Sequence, residues 1–171
     1  MQGALLLADL PVERGRVTIR TFQPGDEDAF RSLNENWISK HFKMEAHDYE
    51  TLDDPHTHIL KPGGQILCVE EDGAVFGCVA LVPMQEARSF ELAKMAIDDS
   101  WQGRGMGRRL LTATVGYARD VLKAKKLFLE SNAKLENAVH LYETVGFRHL
   151  PPERVKTSPY ARADVHMELV F

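Results

Sequence analysis

Apolar residues recur along this chain with two different periods, and each change of period marks an element. Val17-Thr18-Ile19-Arg20-Thr21-Phe22 alternates apolar with polar and is rich in β-branched residues, which predicts a strand. Residues 1–16 before it show no clear period and read as an N-terminal extension to a single domain over residues 17–171. Pro24-Gly25-Asp26 ends the strand, and Asp26 is placed to cap a helix whose first turn carries Glu27 and Asp28. Ala29, Phe30, Leu33, Trp37 and Ile38 line one face of that helix. Residues 41–64 are the least legible stretch. A second helix near Tyr49–Leu52, a short one capped by Pro55, and a turn at Pro62-Gly63-Gly64 are the readings there.

From Gln65 the pattern sharpens. Gln65–Val69 and Ala74–Val82 are apolar runs joined by Glu70-Glu71-Asp72-Gly73, a hairpin signal, and Pro83 stops the second run. Ser89–Ile97 is the next strand. Leu110, Leu111, Thr114, Val115, Ala118, Val121 and Leu122 then keep helical spacing, and Lys126–Ser131 is strand again. A strand, a helix and a strand at this spacing predict a parallel, right-handed crossover. Ala138, Leu141, Tyr142 and Val145 mark a short helix closed by Gly146. Phe147–Leu150 is extended, and Ala163–Phe171 is a terminal strand. The order predicts an α/β sandwich around a mixed sheet.

Between the strand ending at Ile97 and the following helix lies Gln102-Gly103-Arg104-Gly105-Met106-Gly107-Arg108-Arg109. A glycine turn that opens a helix brings free N–H groups and the positive end of the dipole together, so it is an anion site. Arg104, Arg108 and Arg109 add positive charge, and the ligand this predicts is a phosphate or pyrophosphate. A Walker loop needs Lys then Ser or Thr after its last glycine, but Arg108 follows Gly107. A dinucleotide fingerprint needs glycine at its sixth position, which is again Arg108. What fits is Gln-x-x-Gly-x-Gly over Gln102, Gly105 and Gly107, and this resembles the pyrophosphate motif of the GNAT superfamily of acetyl-CoA-dependent N-acetyltransferases. Asn137-Ala138-Val139-His140-Leu141-Tyr142-Glu143-Thr144-Val145-Gly146-Phe147 resembles a second signature of that family. Both motifs stand in the family's order. Asp99 stands where many members carry proline.

The resemblance implies an α/β fold with a GNAT-like mixed central β-sheet flanked by helices on both faces. Two parallel strands splay apart and hold the acyl-CoA between them. It implies that Met95, Ala96 and Ile97 meet the pantetheine arm, and that Gln102, Gly103, Arg104, Gly105, Met106, Gly107 and Arg108 hold the pyrophosphate. Asn132 and Asn137 are further CoA contacts by the same resemblance, Asn137 being equally well placed as a plain helix N-cap. The implied chemistry is transfer of an acetyl group from acetyl-CoA, as cosubstrate, to a primary amine by direct attack in a ternary complex, the acceptor being a small-molecule amine or the amine of an amino acid or peptide. Tyr142 matches the family's general acid for the leaving thiolate, against the simpler reading of a half-buried amphipathic residue. Glu91 is the candidate general base, against a surface carboxylate near Lys94. Tyr160 and Arg162 lie in a loop before the last strand and are candidates for the acceptor site. The Arg162 fork suits an acceptor carboxylate, and a solvated arginine is the alternative.

Composition narrows the field. The chain has 171 residues, a net charge of −4 and 44% hydrophobic residues, the profile of one soluble domain. Residues 1–90 carry 8 Lys/Arg against 15 Asp/Glu, net −7, while residues 91–171 carry 13 against 10, net +3. The glycine turn lies in the positive half, and net acidity counts against nucleic acid as a partner. Cys68 and Cys78 alone exclude a disulfide framework and suit a reducing cytoplasm. No stretch reaches transmembrane length, so no membrane partner is expected. His41, His47, His56 and His58 cluster, but no ordered ligand motif supports a metal, and none is expected. His56 and His58 share a side if extended, and His41 or His47 are candidates to line the acceptor pocket. Leu169, Val170 and Phe171 end the last strand on an apolar note, which with the family resemblance predicts a homodimer. A non-catalytic acetyl-CoA-binding sensor or scaffold is the alternative function, and Tyr142 speaks against it because a sensor needs no proton donor.

Overall fold

The computed structural model describes residues 6–12 and 15–171. Its strands are β1 (Leu6–Val12), β2 (Gly15–Thr21), β3 (Gln65–Glu71), β4 (Ala74–Pro83), β5 (Ser89–Ile97), β6 (Lys126–Ser131), β7 (Arg148–His149) and β8 (Val165–Val170). The α-helices are α1 (Glu27–His41), α2 (Ala46–Asp53), α3 (Met106–Asp120) and α4 (Glu136–Val145). The strands form one sheet in the order β1-β2-β3-β4-β5-β6-β8-β7, antiparallel at every pair except β5–β6.

Alternation along the strands builds two cores. Leu67 and Val69 face α3 and join Leu110, Leu111, Leu127, Leu129 and Met167, with Val139, Leu141 and Val145 of α4 packed against them. Ile66 and Cys68 face the other way and join Phe30 of α1, Leu52 of α2 and Ile59. Helices therefore cover both faces, as the family resemblance implies. Phe30, Asn34 and Ile38 are the buried stripe of α1, four residues apart as a helix requires.

Several elements depart from the sequence expectations. Residues 1–16 showed no period, yet Leu6–Val12 is a strand paired to β2 at the sheet's edge, with a register shift between Leu6 and Ala8. Pro11 interrupts the pattern there, and an edge strand is where proline is tolerated. Asp26 does stand at the N-cap of α1 but makes no side-chain cap. Arg20 takes its carboxylate instead, at 2.7 and 3.0 Å. His56–Leu60 forms one wide helical turn after Pro55, so His56 and His58 are not aligned as on an extended chain. The terminal strand β8 lies between β6 and the two-residue β7, but β7 pairs only with Met167 and Glu168, so Leu169, Val170 and Phe171 have no β7 partner. The hairpin reading holds, with Asp72 at φ 50° and Gly73 at φ 87°, the two left-handed residues a tight primed turn demands.

One irregularity positions everything that follows. Between Cys78↔Ala96 and Ala80↔Ala93, β5 advances one residue more than β4. The bulge holds Lys94 at φ 55°, a conformation that costs a non-glycine residue energy and persists only where the surroundings fix it. Beyond it β5 leaves its parallel neighbour. Pairing with β6 covers only Ser89↔Lys126, Phe90↔Leu127 and Glu91↔Phe128, after which the two strands diverge.

Candidate active site

The divergence of β5 and β6 opens a cleft. Its lining includes Glu91, Lys94 and Met95 from β5, Glu130 and Ser131 from β6, Asn132 after it, Tyr142 from α4, and Tyr160 and Arg162 from the loop before β8. Asn34, Trp37 and Ile38 of α1, with Phe42, close the far side. Six of the residues singled out in the sequence thus share one cavity: Glu91, Met95, Asn132, Tyr142, Tyr160 and Arg162.

At one end of β5 the chain turns into α3 through the glycine loop. Asp98 accepts from the Ser100 N–H at 3.0 Å and its Oγ at 2.6 Å, which braces a connection that has Asp99 in place of the family's proline. Trp101 stacks on Phe76 with ring centres 4.0 Å apart, and the Arg104 guanidinium lies 4.8 Å over Trp101. Gly103 and Gly105 adopt φ 77° and 74°, and Gly105 is the N-cap of α3. Only glycine takes that conformation without strain, and a side chain built at Gly105 would project into open space ahead of the helix N-terminus. Gly107 lies inside the helix, with Met95 and Leu141 at 3.7 and 3.8 Å from where its side chain would start, ordinary contact distances. Gln102 and Arg108 are exposed beside this turn, and Met106 is buried beneath it.

Glu91 sits where desolvation is strong. Burial, with a like charge on Glu130, raises its pKa to about 7, and Lys94 only partly opposes this. Such a carboxylate can take up and release a proton at neutral pH. Tyr142 is half-buried, touches Phe147 edge-on, and is pushed up to about 12 by burial. It therefore keeps its proton at neutral pH and can donate it.

One wall of the cleft contains a charge cluster that the sequence did not reveal. Lys94 Nζ donates to Asp48 Oδ1 at 2.6 Å and to Tyr160 Oη at 2.9 Å. Arg162 forks onto the same Asp48 at 2.7 and 2.8 Å and reaches Glu45 Oε2 at 3.1 Å. Burial alone would raise Asp48, but Arg162 and Lys94 outweigh it and hold the carboxylate down at about 2. The Arg162 fork proposed for an acceptor carboxylate is therefore occupied, and Arg162 is not the solvated alternative either. Asp48 owes its place to α2, where it also closes the capping box by accepting the Glu45 N–H at 2.9 Å. Nothing in the local sequence separates it from an ordinary capping acid. Glu130 was not singled out in the sequence, although a signal existed: Leu127 and Leu129 alternate into the core, which turns Glu130 to the opposite face, where it lines the cleft.

Other candidates lie elsewhere. Ala96 is buried against the α1 side, and Ile97 packs at the end of β5. Asn137 is exposed at the second position of α4, whose N-cap is Leu135, so the capping alternative fails. Asn132 donates to the Arg162 carbonyl at 2.7 Å. His41 packs on Trp37 outside the lining, while His47 meets the cleft only through the edge of the Tyr160 ring. Among the described residues no group of His, Cys, Asp and Glu is arranged to hold a metal, and no helix is long and apolar enough to cross a membrane.

Comparison with known proteins decides the family. The model of the Acetyltransferase (GNAT) family matches residues 27–147, from α1 through the second motif. The chain belongs to the GNAT family of acetyltransferases. A GNAT relative in Escherichia coli, the uncharacterized N-acetyltransferase YjgM, is 30% identical over 120 residues, 66% of this chain and 71% of its own. A spermidine N(1)-acetyltransferase of Vibrio cholerae is 25% identical over 136 residues, 77% of this chain and 79% of its own. The solved spermidine N-acetyltransferase of Vibrio cholerae with CoA and spermine superposes with a TM-score of 0.67 at 24% identity, covering 90% of this chain and 95% of that one. The splayed pair β5 and β6 is thus part of a shared GNAT fold, and the chain is a GNAT family N-acetyltransferase.

Proposed function

We propose that the protein moves an acetyl group from acetyl-CoA to a primary amine by direct attack within a ternary complex. The observation that carries this is the convergence of Glu91 and Tyr142 on one cleft beside the glycine turn. The N–H groups at the start of α3 and the left-handed Gly105 suit a pyrophosphate. The backbone of β5 beyond the bulge is left without a β6 partner and suits the pantetheine arm. Relatives named for spermidine support a small amine as acceptor.

An amine is mostly protonated at neutral pH, so its nitrogen must first lose a proton. Glu91 takes it, directly or through water. The free nitrogen attacks the thioester carbonyl carbon and the C–N bond forms. The nitrogen, positively charged once bonded, releases its second proton to solvent. As the C–S bond breaks, Tyr142 gives its proton to the departing sulfur, and the phenolate takes one back from solvent, so the protons balance. The same reading places the enzyme in the cytoplasm, where buried Cys68 and Cys78 stay reduced. Free-thiol release from acetyl-CoA across a panel of amines tests it. Binding of acetyl-CoA without turnover of any amine would favour the sensor instead.

A further inference from the structure

The charges of the cleft fall into two groups. Lys94 and Arg162 are already matched by this chain's own acids. Asp48 serves both and Glu45 serves Arg162, with the Lys94 and Asp48 side chains 5% and 0% exposed. A carboxylate brought in by an acceptor would have to displace Asp48 and leave it buried without a partner, which is strongly unfavourable. Lys134 offers no substitute, because it lies over Phe42 and donates to the His41 carbonyl at 2.6 Å.

Glu91 and Glu130 form the second group. The parallel pairing Glu91↔Phe128 puts Glu130 two residues further along β6, so both carboxylates point to the same face. Among the described residues Glu91 has no ion-pair partner. Glu130 accepts from Ser158 Oγ at 2.5 Å and lies 3.8 Å from His166 Nδ1. Trp37 adds an aromatic face to the lining, whereas the rings of Tyr160 and Phe42 are already taken, Tyr160 by Lys94 and Arg162 and Phe42 by Lys134. Two carboxylates on one face of the cleft suit a cation and repel an anion.

Resting on the acetyl-transfer reading, we infer that the acceptor is a primary amine with no carboxylate beside its nitrogen, and that Glu130 is the specificity residue that selects it. Glu91 takes the proton, while Glu130 attracts the ammonium form and rejects an amino acid. Specificity then comes from repulsion as much as from attraction.

Matched pairs test this: 1,5-diaminopentane against lysine, tyramine against tyrosine, and 2-phenylethylamine against phenylalanine. The amine of each pair should win in kcat/KM by about tenfold or more, the scale of a close like-charge contact. Glu130→Gln should raise KM for the amines and narrow the gap while acetyl-CoA affinity is unchanged, and Glu130→Asp should restore most of it. Amino acids acetylated as well as their amines, or a gap untouched by Glu130→Gln, would overturn the proposal. Calorimetry of 1,5-diaminopentane and lysine against the CoA-bound protein separates the two readings. If nothing is acetylated yet only the diamine binds, acetyl transfer falls and the selectivity stands. If neither binds, or lysine binds as well, the selectivity falls.

Discussion

In the proposed mechanism two side chains divide the proton traffic, and altering each should have a different effect. Tyr142→Phe removes one hydroxyl and keeps the ring against Phe147. Turnover should drop by roughly 10²–10⁴-fold, the usual worth of general acid catalysis, with acetyl-CoA affinity barely changed. Steady-state kinetics alongside a binding titration check this, and an unchanged kcat would remove Tyr142 from the mechanism. Glu91→Gln should lose the rise in rate through pH 7 that the wild-type carboxylate gives. Its deficit should shrink at high pH, where the acceptor deprotonates unaided. The same shift has a stability consequence. Glu91 ionises near 4.5 when unfolded and about 7 when folded, so its protonated form favours folding. That contribution is present below 4.5 and is lost as pH rises through about 7. Glu91→Gln should therefore melt higher than wild type at pH 8, with the gap closing towards pH 4. An equal melting point at both pH values would deny the strain at Glu91. Glu91 and Tyr142 were legible because they sit in or beside motifs. Asp48 was not, since its role depends on Lys94 and Arg162, 46 and 114 residues away in the chain.

At the scale of the element, the turn from β5 into α3 is the most exacting piece. Gly105→Asp places a negative charge at a left-handed position before a helix N-terminus. Wild type with acetyl-CoA at about 100 times its Kd should gain about 2.7 kcal/mol and several degrees of melting temperature. Gly105→Asp should abolish that gain, whereas Gly105→Asn, which tolerates the left-handed backbone without charge, should keep part of it. Thermal melts with and without ligand decide it, and a normal shift in the aspartate variant would put the phosphate site elsewhere. Helices α1, α3 and α4 and the hairpin declared themselves by period and glycine. The stretch 41–64 showed its helices near Tyr49–Leu52 and after Pro55 without their bounds, because α2 is held by a capping box and distant ion pairs rather than by a strong apolar face.

At the scale of the molecule, one wall of the cleft is assembled from remote parts: α2, the bulge of β5 and the loop before β8 meet at Asp48. Fold class was readable from the order of elements, but long-range closure of this kind has no local signature. The homodimer expectation rests on a short end of the strand, since β7 covers β8 only at Met167 and Glu168 and leaves Val170 68% exposed beyond them. Light scattering at working concentration settles it, and a monomeric mass would remove the dimer.

The bulge at Lys94 reaches further than the opening of a cleft. Leu92 and Ala96 are both even-numbered, yet Leu92 belongs to the core beneath α3 and Ala96 to the core beneath α1. One extra residue has reversed the phase of the strand. β5 is two half-strands spliced out of step, which lets Glu91 address the acceptor side while Met95 and Ile97 pack towards α3 and α4. Deleting Lys94 would bring the halves back into step and turn every side chain beyond it to the wrong face. Lys94→Gly would cost the ion pair but keep the phase. The deletion should lose acetyl-CoA binding altogether and the substitution should retain it, so equal binding by the two variants would show that the phase of β5 has no bearing on the site.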